Sequence, residues 1–194
     1  PYPLGVASAR GAWAIDCDGR RVLDMSMGFG AMLVGHLNPV VVERVTAMLQ
    51  ETGTLFVTPS PISTEAAERM QRRFRMDLVR FCNSGTEATM YAVRTARAYT
   101  GRMGIIKLEG GYHGGYDPLT VSAKPKVDKA GPAEAPIPVF HGDIEPGIVH
   151  VVPYNNLERM EQVLKATAHE VACVIMEPVV ENLGIVVPDA GYLQ

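Results

Sequence analysis

The stretch from Leu78 to Ala88, which reads LVRFCNSGTEA, constrains the fold of this chain more than any other. An apolar run followed by a glycine turn and a helical pattern predicts a short strand over 78–82 that leads into a helix. Ser84 and Glu87 have the spacing of a capping box, in which Ser84 accepts the N–H of Glu87 and Glu87 accepts the N–H of Ser84. Because Gly85 lets a ligand approach the backbone, this helix start is a candidate anion site.

Strand and helix patterns alternate along this part of the chain. The predicted strand over 78–82 is followed by a helix over 86–100 and a strand over 104–108. Such alternation predicts βαβ units, so we expect an α/β fold with a mostly parallel sheet and crossover helices. Ligands of such sheets bind beyond the carboxyl ends of the strands. Tyr112 and His113 follow one of these ends, so they should lie on the same rim as the Ser84 turn.

The residues before this stretch follow other patterns. Residues 12–25 predict a β-hairpin that turns at an Asp-Gly pair, and a glycine-rich loop over 26–36 follows. A helix opened by Pro39 comes next. We therefore predict a segment of an N-terminal subdomain over 1–60, containing hairpin, loop and helix, and part of a large α/β domain over 61–194.

The C-terminal part of the chain resumes the alternation after a long interruption. Residues 117–147 are rich in proline and predict an excursion without regular structure. Residues 149–152 predict a strand, Asn155 is the expected cap of the following helix, and 171–176 predict a buried strand. Glu177 stands at the carboxyl end of that last strand, which places it on the same predicted rim.

Three motifs together resemble one known family. N-S-G-T-E-A occupies residues 83–88, G-x-Y-H-G occupies 110–114, and E-P-V occupies 177–179 after an apolar run. Their order and spacing resemble the class III aminotransferases, which are enzymes of fold type I that depend on pyridoxal 5′-phosphate (PLP). The continuation to Asn182 looks most like the glutamate-1-semialdehyde 2,1-aminomutase branch. The resemblance begins at Gly11 and corresponds to the N-terminal half of such an enzyme.

The resemblance implies roles for several residues. Those expected to contact the cofactor are Ser84, Gly85 and Thr86 at its phosphate, Tyr112 on the face of its ring, His113 close by, and Glu177 and Asn182 at its border with the substrate. Phe29, in the glycine-rich loop, is the aromatic side chain expected near the substrate. A core aromatic that anchors the hairpin is an equal alternative for Phe29.

The implied reaction moves an amino group through Schiff-base intermediates, with a small amino donor and an amino-aldehyde or keto compound as substrates. The family uses a lysine for this bond, and none of the lysines of this chain fits its pattern: Lys107, Lys124, Lys126, Lys129 and Lys165. We therefore expect this chain alone to be inactive. The alternative is a non-catalytic α/β module that holds a nucleotide or another phosphorylated ligand, although no P-loop motif is present.

Composition excludes other classes of partner. A net charge of −3 and the lack of a basic stripe give no support for nucleic-acid binding. No apolar run reaches the roughly 18 residues that span a bilayer. Cys17, Cys82 and Cys173 predict buried thiols in a reducing compartment, hence a cytoplasmic protein. No pattern of metal ligands occurs, and the resemblance implies a homodimer for the full-length enzyme.

Overall fold

The computed structural model describes residues 4–53, 58–140 and 148–194. The chain forms two compact units, Pro1–Val79 and Arg80–Gln194. Ser60, at the boundary predicted from the sequence, lies within the first unit, where it caps a helix.

The first unit contains a small antiparallel sheet. Its strands are β1 (Val6–Arg10), β2 (Trp13–Asp16) and β3 (Arg21–Leu23), in the order β1-β2-β3. The strands β2 and β3 are the predicted hairpin, whereas β1 is an addition. Asp16 stabilises the hairpin turn, because its Oδ1 accepts the backbone N–H groups of Asp18 at 3.0 Å and Arg20 at 2.8 Å.

Two helices complete the first unit. Helix α1 (Pro39–Glu51) begins after Asn38, whose side chain accepts the N–H groups of Val40 and Val41. Helix α2 (Pro61–Phe74) begins after Ser60, which forms a capping box with Ser63. Both helices therefore have a side-chain cap and a proline in their first turn, the position where a missing N–H costs least. Neither helix contains a buried residue.

The second unit is an α/β arrangement. Its helices are α3 (Gly85–Thr100), α4 (Asp117–Thr120) and α5 (Leu157–Thr167), and its strands are β4 (Gly104–Leu108), β5 (Val149–Val152) and β6 (Val171–Ile175). The sheet has the order β5-β4-β6 and both pairings are parallel. A 3₁₀ turn covers Glu181–Leu183. The predicted α/β class and parallel sheet are confirmed.

Three details of the predicted elements are wrong. Residues 78–82 form no strand. Among the described residues, the sheet of the second unit has three strands, whereas the sequence suggested about four. The physical reason is that no neighbouring strand among the described residues pairs with this segment, and Leu78 is exposed. Asn156 caps α5, one residue after the predicted Asn155. Helix α4 lies inside the predicted excursion, of which residues 141–147 are outside the described residues.

The core of the second unit surrounds β4, whose five residues are all buried. Successive side chains of a strand point to opposite faces of the sheet. On one face, Ile106 and Leu108 belong to a cluster that includes Met160 and Val163 of α5. On the other face, Ile105 packs with Val93 of α3 and Leu119 of α4. Lys107 shares the face of Ile105 by this alternation. The central strand is therefore covered on both sides.

The cysteines only partly follow their prediction. Cys17 is exposed in the hairpin turn, so the expectation that it is buried is wrong, and Cys82 and Cys173 are half-buried. All three are free thiols. Within the described ranges, no helix combines the length and apolar character needed to cross a bilayer.

Candidate functional site

The start of α3 presents backbone N–H groups that lack an acceptor. The Ser84 Oγ accepts the N–H of Glu87 at 3.2 Å, as predicted. The Glu87 carboxylate, however, accepts the N–H of Asn83 at 2.6 Å and not that of Ser84, so this half of the predicted capping box is wrong. Within the described part of the chain, the N–H groups of Gly85 and Thr86 have no hydrogen-bond partner. A helix start of this kind favours an anion.

The loop after β4 is attached to this helix start. The Thr86 Oγ1 accepts the N–H of Gly115 at 3.0 Å, and the Thr89 hydroxyl donates to the carbonyl of His113 at 2.8 Å. Gly114 has a φ of +90°, and a Cβ atom there would lie 2.5 Å from the Thr86 Oγ1. Only glycine combines this conformation with this approach. The loop therefore lies directly against the first turn of α3.

Glu177 connects the same loop to the segment after β6. One carboxylate oxygen accepts the N–H of Tyr112 at 2.9 Å and the other accepts the N–H of Glu181 at 3.0 Å. Asn182 adds a second connection, since its side-chain amide donates to the carbonyls of Gly110 at 3.3 Å and Ala123 at 3.2 Å. Two predicted site residues thus hold the backbone that carries a third.

Tyr112 and His113 differ sharply in environment although they are adjacent. Tyr112 is 54% exposed, and its ring makes no aromatic or cation–π contact among the described residues. His113 is buried and its Nε2 has no hydrogen-bond partner. Burial, reinforced by the positive charge of Lys107 and opposed by Glu177, lowers the pKa of His113 to about 4. His113 is therefore a neutral imidazole at physiological pH.

Lys107 is a buried cation beside this loop, and its sequence pattern predicted no role for it. Its side chain is fully buried in β4, and its Nζ donates to the carbonyls of Gly111, at 2.9 Å, and Val121. Burial lowers the pKa of Lys107 to about 8, while the charges of Glu109 and Glu177 oppose this shift. The signal in the sequence is a single lysine inside the otherwise apolar strand GIIKL.

Glu109 is half-buried, with both oxygens of its carboxyl group shielded from solvent. Burial raises the pKa of its carboxyl group, while an interaction with the Ser122 hydroxyl and the charge of Lys107 oppose the shift. Neither carboxylate oxygen makes a hydrogen bond of ordinary geometry, so the contact with Ser122 is weaker than a full hydrogen bond. The end of β4 and the loop after it therefore bring together a buried lysine, a carboxyl group with buried oxygens and a neutral imidazole.

The family profile described as "Aminotransferase class-III" matches residues 1–194. The chain belongs to this family. It is 39% identical over 198 residues to a glutamate-1-semialdehyde 2,1-aminomutase from Methanocella arvoryzae, and this match covers all of the chain and 45% of that protein. The resemblance predicted from the three motifs is confirmed.

Solved structures agree with this assignment. An omega-transaminase from Sphaerobacter thermophilus superposes with a TM-score of 0.92 at 35% identity, covering 100% of this chain and 45% of that one. A structure described as "Transaminase with PLP bound" gives a TM-score of 0.88 at 36% identity with the same coverage. The chain thus spans about half the length of the class III relatives that it matches.

The predicted site residues of this class III chain fall into two groups. Seven of them lie in the second unit and are joined by the contacts described above: Ser84, Gly85, Thr86, Tyr112, His113, Glu177 and Asn182. Phe29 lies in the first unit, fully exposed and with a φ of 54°. The alternative of a buried core aromatic is therefore wrong for Phe29. Among the described residues, no three His, Cys, Asp or Glu side chains could hold a metal ion.

Proposed function

We propose that this chain forms part of the PLP site of an enzyme that moves an amino group, similar to the glutamate-1-semialdehyde aminomutases. The single observation that carries the proposal is the unpartnered first turn of α3 beside the Tyr112-His113 loop. An anion cradle and an exposed aromatic ring on one rim suit a phosphorylated aromatic cofactor. The solved relative with bound PLP and the aminomutase relative support the same proposal.

The residues present fit the phosphate of such a cofactor. The N–H groups of Gly85 and Thr86 are available as donors, and no atom would obstruct even a Cβ at Gly85. The hydroxyls of Ser84 and Thr86 each accept one backbone N–H and keep their own proton to donate. Four donors are therefore available in Ser84, Gly85 and Thr86, at the positive end of the α3 dipole.

The remaining residues fit the ring and its border. When bound, PLP supplies an electron sink for bonds at the amino carbon. The exposed Tyr112 ring is free to stack on the cofactor, and the adjacent His113 is neutral, with a buried Nε2 that makes no hydrogen bond among the described residues. In this proposal Glu177 and Asn182 border the cofactor and keep the loop in place through their backbone contacts. Phe29 remains the proposed aromatic residue near the substrate.

We also propose that the lysine bonded to the cofactor is none of the five in this chain, which would leave the chain alone inactive. Lys107 has the lowered pKa of a reactive amine, but its Nζ is buried and donates to two carbonyls. Lys165 is exposed and pairs with Glu161 at 2.8 Å. Borohydride reduction after incubation with PLP, followed by peptide mapping, tests this: a stoichiometric pyridoxyl group on any of these lysines, with turnover, would contradict it.

The proposed substrates are small molecules, an amino donor and an amino-aldehyde or keto compound. We propose that the full-length protein is a cytoplasmic homodimer, as the resemblance implies. The free state of all three cysteines is compatible with a reducing compartment. Light scattering of the full-length protein in solution would measure twice the mass of one chain, and a monomeric mass would contradict the proposal.

The PLP assignment is tested by replacing Thr86 with leucine in the full-length protein. Each charge-assisted hydrogen bond to a phosphate contributes roughly 1.5–3 kcal/mol, so we expect the dissociation constant for PLP to rise at least tenfold. The control is T100L, at the opposite end of the same helix, which should leave affinity unchanged. An unchanged dissociation constant for T86L would reject the site. A wild-type protein that binds nucleotides and never acquires visible PLP absorbance would favour the non-catalytic alternative.

A further inference from the structure

We propose that Lys107 is a positioning residue, which together with Glu177 fixes the peptide bond preceding Tyr112 and thereby sets the backbone position from which the Tyr112 ring extends. This inference rests on the proposed function for its effect on cofactor binding. Lys107, the Gly111–Tyr112 peptide and Glu177 form what we call the peptide clamp, and its contacts are present in the described structure.

Two charged side chains contact the same peptide unit. The carbonyl of Gly111 accepts a hydrogen bond from the Lys107 Nζ at 2.9 Å, and the N–H of Tyr112 donates to the Glu177 carboxylate at 2.9 Å. These two groups belong to the same peptide bond, which is planar and has its C=O and N–H pointing in opposite directions. A cation therefore holds one pole of this peptide and an anion holds the other.

The hydrogen bonds from Lys107 are strong because its amine is both charged and buried. Lys107 is fully buried, so its ammonium has exchanged water for the carbonyls of Gly111 and Val121. Hydrogen bonds to a charged group are about twice as strong as neutral ones. With its pKa at about 8, Lys107 is mostly charged at neutral pH. The buried ammonium cannot move away without losing both partners.

Lys107 also joins two loops. The carbonyl of Val121 lies in the segment after α4, and the N–H of Gly110 donates to the carbonyl of Ser122 at 2.8 Å in the same segment. Lys107 thus stands between the loop over 109–115 and the segment over 121–123, and contacts the backbone of both. Removing its amine leaves two buried carbonyls without these bonds.

The peptide clamp also positions Tyr112. The Tyr112 Cα belongs to this planar peptide unit, so a shift of a peptide that lost these contacts would move the Cα as well. The Tyr112 side chain is exposed, so it would move with its Cα. The peptide clamp therefore fixes the position of the Tyr112 Cα, from which the ring extends. Neither charged side chain needs to touch the ligand for this effect.

The test uses the full-length protein and the variant K107M, which keeps the length of the side chain and removes its donors. We expect the dissociation constant for PLP to rise at least tenfold, equivalent to about 1.4 kcal/mol. Hydrogen exchange should lose protection in peptides covering 110–115 and retain it in β5. The matched control K165M removes an exposed lysine and should change neither measurement.

A double-mutant cycle with E177Q isolates the clamp. Because the two side chains hold opposite ends of one peptide, the combined loss of affinity in K107M/E177Q should be at least threefold smaller than the product of the single losses. K107R, which restores a charged donor, should recover part of the affinity. If Lys107 acted independently of Glu177, the loss of affinity in the double variant would equal the product of the two single losses.

Other outcomes of these experiments would contradict the proposal or the proposed function. Wild-type affinity and wild-type protection of 110–115 in K107M would overturn the proposal, as would strictly multiplicative losses in the cycle. If K107M and K107R both lose the protection of β5, Lys107 is needed for the sheet itself and the proposal is wrong. If the wild-type protein does not bind PLP, the proposed function fails, while the exchange data still decide whether the clamp exists.

Discussion

The central strand of the second unit and the helices of the first unit show opposite relations between apolar pattern and burial. Every residue of β4 is buried, and the strand is covered on both faces. Helices α1 and α2 also have apolar faces, yet neither contains a buried residue. An amphipathic pattern therefore predicts that a face is suited to burial, but it does not tell where the covering surface comes from.

The two units also differ in the interactions that stabilise each of them. The first unit depends on polar contacts at its turns and helix starts, such as the Asp16 turn, the Asn38 cap and the pair between His36 and Asp24 at 2.7 Å. The second unit buries clusters of apolar side chains around its sheet. Area removed from water contributes roughly 25 cal/mol per Å², whereas a single cap contributes about 1 kcal/mol. Local stability should therefore be concentrated in the second unit.

The largest expected effect is that of a core truncation in β4. I106A removes a fully buried side chain and leaves a cavity, so the free energy of unfolding of the second unit should fall by about 2–5 kcal/mol. The matched variant V45A, on the exposed face of α1, should cost less than about 1 kcal/mol. Urea unfolding monitored by hydrogen exchange in each unit gives both values, and equal losses would erase the contrast.

A second pair of variants compares two glycines with positive φ. G114A combines a strained backbone with a Cβ atom 2.5 Å from the Thr86 Oγ1, and should destabilise the loop by about 2–4 kcal/mol. G19A has a φ of +81° and no atom within 4 Å of its Cβ, so only the backbone term of about 1 kcal/mol applies. Thermal unfolding of the two variants should separate them, and a similar cost would show that the loop yields.

The stability of the second unit should depend on pH through His113. The neutral imidazole of His113 is favoured in the folded state, so the unfolded chain binds more protons between its ordinary pKa of 6.5 and the folded value of about 4. Stability of the second unit should therefore fall as the pH falls through this window, by about 2 kcal/mol after allowance for solvent screening. H113N should abolish this dependence, and H169N, which changes an exposed histidine, should not.

The first unit should respond to acid at a lower pH. The hydrogen bond from His36 lowers the pKa of Asp24 below its ordinary value of 3.8. The stabilisation from this carboxylate is present above that value and is lost only as the pH falls below it. Hydrogen exchange during an acid titration should show the loop around His113 opening before the Asp24 contacts. The reverse order would contradict both assignments.

The smallest effect is expected for the helix caps. N38A and N156A each remove a side chain that accepts N–H groups at a helix start, at a cost of about 1 kcal/mol. Asn38 accepts two N–H groups and Asn156 accepts one, so α1 should lose at least as much as α5. Chemical denaturation measures the two losses, and a clearly larger loss for N156A would show that packing amplifies the cap.

Local signals in the sequence predicted most elements of the fold. The Asp-Gly turn marks the hairpin, and the Ser84 and Gly101 positions mark the two ends of α3. The segment over 78–82 shows the limit of this approach. Its apolar residues suit a strand, but a strand exists only where another backbone pairs with it, and pairing is a property of the whole fold.

The candidate site was predictable in its parts and not in its connections. The glycine at 85 and the Tyr112-His113 pair are visible as motifs, because helix starts and loops carry local signals. The role of Lys107 was not predictable, since it depends on the carbonyls of Gly111 and Val121 meeting at one point. The partner of Glu87 was also missed, because a shift of one residue changes which N–H it reaches.

The buried ammonium in β4 also bears on how the sheet finds its alignment. Ile105, Ile106 and Leu108 are similar apolar side chains, so a strand of these residues alone would fit several offsets almost equally well. A one-residue slip would turn Lys107 to the opposite face, away from both carbonyls that it contacts. An unpaired buried charge is far more costly than a misplaced methyl group. We expect misaligned sheets to be less stable during folding because they would leave the Lys107 charge buried and unpaired. The least apolar residue of the strand would therefore determine its alignment.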